Sequence, residues 1–421
     1  MVKTKKRIIL YFILVIIILV LTSFYTENDS SCKECDSTNE TKIELENARN
    51  REDLSKKFYT ILEYTKISGN SRFCKSYLDD NLIEPFKSDD KFGKIFLSNR
   101  EGEKNYPRYY YLDNCEFKNC FFTCNNDLAH SADALVLSYG DLNRDLYSNS
   151  KAYNDLVSKR NPRQIWMLWN DEASVPLKKY DYLNFNWSVT FYAKSEVPSF
   201  AYGGFVNVEN DDTLITIETI NQEFKKRSNI ASWFVSNCAS TTRNKFASKL
   251  GNYYPINVGG SCASKIKGSK ITHEKSTCER DSECETNDMK SKKFYLAFES
   301  TNCSDYITEK FWRSLSFGLI PIVIQPSKIS YERIAPPNSF IHAQDFNFDA
   351  QLLANYLNEV SNNEELYSKH LKWKILYKNY YKGHDVDPFR LCQMCKKLNQ
   401  ETTSIYYKSL SRWTQNKCYS P

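Results

Sequence analysis

Residues Lys293–Gln325 read KFYLAFESTNCSDYITEKFWRSLSFGLIPIVIQ, and this stretch decides the fold. Phe294–Phe298 is an apolar run of strand length, and a polar loop, Glu299–Ile307, follows it. Thr308 stands where a helix N-cap belongs, with Glu309 and Lys310 in the first turn. Phe311, Trp312, Leu315 and Phe317 are the apolar members of a short helix, and Gly318 is a natural stop. A second strand, Leu319–Ile324, comes at once, so the stretch is one βαβ unit of an α/β fold.

The loop of this unit carries the functional signal. The first turn of a helix has unpaired N–H groups and a partial positive charge, an arrangement that holds phosphate. Lys310 adds a cation where it opposes the helix dipole, which suggests an anion served by both. Glu309 offers a carboxylate for sugar hydroxyls, and Tyr306 and Thr308 add two hydroxyl groups. The alternative is an ordinary βαβ unit with Lys310 in solvent.

Phe294–Gln325 also resembles the signature of the α1,3/α1,4-fucosyltransferases, written F-Y-L-x-F-E-N-S-x-x-x-D-Y-I-T-E-K-x-W/Y-x-N-A before an apolar strand with Pro. The Asp305–Lys310 core matches throughout, whereas Ser300 replaces the family's Asn, a hydroxyl for an amide.

Further upstream, the strand Gln164–Trp169 ends in Asn170-Asp171-Glu172-Ala173-Ser174. Asn184–Trp187, a strand Ser188–Tyr192 and Val197–Gly203 follow. These are similar, in order and spacing, to the family's W-x-x-x-x-E-S-P, F-N-W/L-T-x-x-Y and V-P-Y-G motifs. The resemblance implies that Glu172 is the general base, with Ala173-Ser174 in place of Ser-Pro. A carboxylate at the carboxyl end of a strand is where α/β folds place chemistry. Asp171 is the adjacent competitor, and without its neighbours Glu172 would read as a solvated loop acid.

Ala231–Asn237 reads as the strand that opens a second domain, Cys238–Thr242 as a loop and Arg243–Leu250 as a helix. This block resembles the family's W-V-V-S-N-C segment, and implies that Arg243 meets the donor diphosphate. The planar guanidinium suits phosphate because it bonds bidentately; a surface helix residue is the alternative. Residues 264–292, with Cys278 and Cys284, read as a loop, and the basic run Lys225–Arg227 as a solvated inter-domain crossing. Gln351–Val360 is an amphipathic helix and Glu364–Tyr380 a second one. Phe389–Leu398 resembles the family's terminal C-x-x-C, which implies that Cys392 and Cys395 pair with upstream cysteines of the 115–124 cluster and tie the C-terminus to the first domain. Asp385-Val-Asp387 follows no apolar strand and reads as a turn, so no metal site is assigned.

Length and composition agree with this picture. A chain of 421 residues calls for two domains, and 41% hydrophobic with 14% aromatic content supplies two cores. A net charge of +6 is too slight to argue for nucleic acid. Fourteen cysteines with five histidines favour disulfides in an oxidising compartment over zinc. Lys3, Lys5, Lys6 and Arg7 precede the uncharged Ile8–Tyr25, which is just long enough to span a bilayer. A signal anchor is expected, because no small-residue cleavage site follows that would mark a signal peptide.

The expected domains are a cytoplasmic tail (1–7), a transmembrane anchor (8–25), a luminal stem (26–57), an acceptor-binding Rossmann-like domain (58–225), a GDP-fucose-binding Rossmann-like domain (226–380) and a C-terminal segment (381–421). The resemblance implies a GT-B α/β fold with the two domains facing a cleft. It also implies a type II Golgi membrane enzyme that moves fucose from GDP-fucose to a GlcNAc hydroxyl of a glycan with inversion. Glu172 is the expected catalytic residue, and Arg243, Ser300, Tyr306, Glu309 and Lys310 the expected donor-binding residues. No cofactor is required by the sequence; stimulation by Mn2+ stays open, as does the choice between N-acetyllactosamine and the N-glycan core as acceptor. The rival readings are a GT-B enzyme with another nucleotide sugar and a non-catalytic glycan-binding relative.

Overall fold

The computed structural model describes residues 42–44, 58–65, 115–142, 150–173, 177–198, 201–208, 215–273, 282–381, 383–401, 405–410 and 418. The expected anchor and most of the expected stem lie outside these residues. Among the described residues no helix is long and apolar enough to cross a membrane.

In chain order the elements are β1 (Lys42–Glu44), β2 (Tyr59–Glu63), β3 (Cys120–Thr123), β4 (Ala134–Ser138), α1 (Ser150–Ser158), β5 (Ile165–Asn170), β6 (Trp187–Thr190) and β7 (Gly203–Asn207). Then come α2 (Ile217–Lys226), β8 (Ser228–Phe234), α3 (Thr241–Leu250), β9 (Ile256–Gly259), β10 (Ile271–His273), α4 (Glu283–Lys290), β11 (Lys292–Leu296), α5 (Glu309–Ser316) and β12 (Ile320–Val323). The chain continues with α6 (Lys328–Ile334), β13 (Ile341–His342), α7 (Ala350–Asn362), α8 (Glu364–Lys369), β14 (Tyr377–Tyr381), α9 (Gly383–Gln400) and β15 (Ile405–Tyr407).

Two parallel sheets form the frame. The first runs β3-β2-β4-β5-β6 and the second β10-β9-β8-β11-β12-β13. Parallel sheets are covered on both faces, so their central strands are apolar throughout rather than alternating. β4 and β5 are buried at every position. One face of the first sheet (Ile61, Val136, Met167, Trp169) packs on Leu391, Met394 and Leu398 of α9. One face of the second (Trp233, Val258, Phe294, Leu296, Ile322) packs with Ala247 and Leu250 of α3 and Leu353 and Leu357 of α7. Its other face (Tyr295, Val323) packs with Phe311, Trp312 and Leu315 of α5.

Several expectations change. α2, placed in the first domain by a boundary at 225, buries Ile220 in the core of the second sheet. Arg227 is not solvated: it donates to the carbonyls of Lys292 and Phe317 and pairs with Glu223. The 264–292 loop contains β10 and α4, and the side chain of Ser282 caps α4 by accepting from the Glu285 N–H. The helix expected over 364–380 ends at Lys369. The aromatic run Tyr377–Tyr381 instead forms β14, antiparallel to β7, because branched and aromatic residues favour a pleated surface. Asp385 and Asp387 lie on α9 and not in a turn. β1, inside the expected stem, pairs with β15.

The cysteine pairing implied by the resemblance is present. Cys115–Cys392 and Cys120–Cys395 staple α9 to the first domain, and Cys238–Cys262 and Cys303–Cys418 close two further links. Each of the first two closes a loop of more than 270 residues. Replacing Cys115, Cys120, Cys392 and Cys395 together by Ser is expected to cost about 2–5 kcal/mol and to lower Tm by several degrees. Differential scanning calorimetry of the full chain checks it, and an unchanged Tm contradicts the staple.

Candidate active site

The site begins where β11 ends. Glu299 is wholly buried, an acid at the end of an apolar strand. A carboxylate taken out of water needs several donors. Three come from the start of α5: the Thr308 N–H at 2.7 Å, the Thr308 hydroxyl at 2.9 Å and the Lys310 ammonium at 3.1 Å. Thr308 occupies the N-cap position as expected, yet its hydroxyl makes no cap bond to the helix. Lys310 is therefore partnered by a carboxylate, which was not expected. Burial works against its charge, but Glu299 and Glu309 outweigh that and raise its pKa, so it stays an ammonium.

Asp305 has φ +62° and bridges the two units: its carboxylate accepts from the Ala193 N–H at 3.0 Å and pairs with Arg333 at 2.8 Å. This aims Tyr306 into the cleft, where its ring packs edge-on against Phe191 and Tyr202. The Tyr306 hydroxyl donates to Glu172 Oε2 at 3.2 Å.

Glu172 follows β5 and is held by Asn170, whose side chain accepts from the Glu172 N–H and donates to the Glu172 carbonyl. Desolvation by the cavity wall raises its pKa. Asp171 and Glu309 push the same way, while the Tyr306 hydrogen bond and Lys310 oppose them. Asp171 is engaged elsewhere, paired bidentately with Arg390 at 2.6 and 2.9 Å and accepting from the Trp169 indole at 2.8 Å.

Arg243, on the first turn of α3, is 2% exposed. It donates to the carbonyls of Phe298 and Asn237, at the ends of two strands, and its Nε has no partner among the described residues. Gly260, at φ +90° after β9, lets the backbone pass the Val235 carbonyl, which a Cβ would approach to 2.5 Å.

All six expected residues, Glu172, Arg243, Ser300, Tyr306, Glu309 and Lys310, line one cavity of about 480 Å³. Tyr202 and the buried Glu285–Arg313 pair complete part of its wall. The first sheet supplies Glu172 and the second the cations, so a carboxylate and a cationic wall line one space. A larger cavity of about 850 Å³ lies beside α3, lined by Lys245, Lys249, His342 and Phe348 among others, and holds none of the six. Its His342 is a core residue: one ring nitrogen faces the Pro326 carbonyl and the other accepts from the Gln344 N–H. Among the described residues no group of three or more His, Cys, Asp or Glu is arranged to hold a metal ion.

Two family models match: "Glycosyltransferase family 10 (fucosyltransferase) C-term" over residues 224–413 and "Fucosyltransferase, N-terminal" over residues 91–203. The chain belongs to the family 10 fucosyltransferases. A relative from Drosophila melanogaster, glycoprotein 3-alpha-L-fucosyltransferase A, is 30% identical over 78% of this chain and 62% of its own length. An alpha-(1,3)-fucosyltransferase of Caenorhabditis elegans is 29% identical over 68% of this chain and 61% of its own. The chain thus spans about three fifths of the length of both. A mouse 4-galactosyl-N-acetylglucosaminide 3-alpha-L-fucosyltransferase is 27% identical over 70% of this chain and 75% of its own. A crystal structure of an alpha1,3-fucosyltransferase with GDP-fucose is 16% identical over 83% of this chain and 92% of its own, with a TM-score of 0.42. Both family segments meet at the cavity: Glu172 lies in the first, and Arg243, Ser300 and Tyr306 to Lys310 in the second.

Glu299, Tyr202, Arg313 and Arg390 were not singled out from the sequence. Glu299 had a signal, an acid closing an apolar run; Arg390, 219 positions from its partner, had none. Glu299→Gln removes the charge that Lys310 is buried against. It is expected to destabilise the fold by about 3 kcal/mol and to weaken GDP binding, read by urea unfolding and calorimetric titration. Wild-type values in both would contradict the role given to the pair.

Proposed function

We propose that the protein is an inverting α1,3-fucosyltransferase that moves L-fucose from GDP-fucose to a GlcNAc hydroxyl of a glycan. The observation that carries this is a carboxylate from one sheet facing, across one cavity, a buried arginine and an ion-paired lysine from the other. The two sheets are read as the Rossmann-like halves of a GT-B cleft, acceptor on the first and donor on the second.

In the reaction the acceptor oxygen attacks the anomeric carbon from the side opposite the diphosphate. The new C–O bond forms as the bond to the phosphate oxygen breaks. Glu172 takes the hydroxyl proton as the oxygen attacks. Arg243 and Lys310 stabilise the charge that builds on the departing GDP, aided by the N-terminus of α5. Tyr306 and Glu309 bind the fucose and guanosine portions, and Ser300 lines the donor side. Holding both substrates across one cavity supplies much of the rate.

The acceptor follows one of two patterns. The fly relative's name specifies a glycoprotein and the mouse relative's a 4-galactosyl-N-acetylglucosaminide. The location is read as a Golgi membrane, with an anchor at 8–25 and the rest luminal. The disulfides among the described residues support an oxidising compartment.

Full-length protein incubated with GDP-fucose and each acceptor, with and without Mn2+, is expected to add one fucose by mass spectrometry. Glu172→Gln should lose about 100-fold or more in kcat while GDP still binds. The base must be ionised to work, and burial raises its pKa. The acid limb of kcat/KM therefore lies above that of a free glutamate, and activity falls as pH drops through it. Transfer from another nucleotide sugar in preference to GDP-fucose, or GDP binding without turnover on any glycan, contradicts the reading.

A further inference from the structure

Beside the expected base stands a second acid, and the structure commits it elsewhere. Asp171 sits at the end of β5 with its carboxylate in the fork of Arg390, at 2.6 and 2.9 Å. The same carboxylate accepts from Trp169 Nε1 at 2.8 Å, and the guanidinium lies 4.6 Å over the Trp169 ring. The backbone carbonyl of Asp171 accepts from the Tyr202 hydroxyl. Arg390 itself is 1% exposed and stands on α9, two and five residues before Cys392 and Cys395, the two cysteines stapled to the first domain. A bidentate fork stacked on an indole is a rigid support, and lysine does not reproduce it.

Of the adjacent acids, Glu172 lines the cavity. We propose that Arg390 is a positioning residue for the transfer reaction: by clamping and neutralising Asp171 it holds the turn after β5 so that Glu172 presents its carboxylate to the acceptor. The inference rests on the reading of Glu172 as the base. Among the described residues, the ionisable groups around Glu172 are Tyr306 and Tyr202 on the cleft wall, Glu309 and Lys310 on α5, and Asp171 on its own turn. Asp171 is the neighbour that Arg390 controls.

The clamp makes predictions of opposite sign. In Arg390→Met the Asp171 charge is uncompensated beside Glu172, which disfavours the ionised base. The acid limb of kcat/KM should then move up by roughly half a pH unit or more. In Asp171→Asn the charge is gone and the limb should move down. The double variant Arg390→Met/Asp171→Asn should return the limb to or below the wild-type position. Arg390→Lys keeps the charge and loses the fork, so the limb should stay while kcat falls. Loss of the clamp should lower kcat by about 10- to 100-fold with the donor KM little changed, because the donor-side residues come from the second sheet.

The experiment is a pH–rate series on the full-length protein for these four variants and Glu172→Gln, with GDP titration as the check on folding. Opposite shifts in the two single variants, cancelled in the double, support the clamp. Should Arg390→Met fail to fold, Arg390→Lys carries the test: a lowered kcat with an unmoved limb and wild-type GDP affinity supports the clamp, and a wild-type kcat overturns it. An unmoved limb, or shifts of the same sign, overturns the proposal while leaving Glu172 as base. A Glu172→Gln enzyme as active as wild type overturns both.

Discussion

A buried carboxylate organises one wall of the cavity. Glu299 cannot be solvated, so its charge must be met by the chain, and the donors within reach are Thr308 and Lys310. Meeting it fixes the first turn of α5 and places an ammonium on the cavity wall. The carbonyl of the same residue accepts from Gln325, which ties the end of β12 to the end of β11. Buried ion pairs contribute little net stability against apolar substitutes, but they are costly to break. The pair therefore acts mainly as a constraint on geometry.

The second constraint is the join between the units. Asp305 links the signature loop to Ala193, the Cys303–Cys418 disulfide links it to the C-terminus, and Tyr306 ends at Glu172. Gly203 on β7 allows Trp312 of α5 to come close enough that a Cβ would overlap its ring. These contacts make one cavity from two sheets. Its electrostatics are divided, with the Glu172 carboxylate on one side. On the other is Arg243, a buried cation whose hydrogen-bond partners are neutral carbonyls. Such an arginine has bonding capacity left for a diphosphate.

Much of this was legible in the sequence because it is local. The βαβ unit, the strand 164–169 and the helix 243–250 follow from apolar runs, caps and stops that neighbours in sequence decide. The six candidate residues were reached through ordered motifs, and the structure brings them to one cavity. What was illegible depends on distant partners. The run 377–381 carries helix-compatible spacing, and it becomes a strand because β7 offers an edge. Ile220 sits before the expected boundary, and its core lies after it. Lys310 looked uncompensated because its counter-charge, Glu299, is eleven residues away, at the start of what reads as a polar loop. Arg390 and Asp171 come together through the topology of α9 on the first sheet.

The most direct test of the account is an experimental structure of the full chain with GDP-fucose bound. The account predicts the diphosphate against Arg243 and Lys310 and the fucose anomeric carbon on the side of the cavity that Glu172 faces. A nucleotide seated instead in the larger cavity, against Lys245 and Lys249 and away from Glu172, would contradict it.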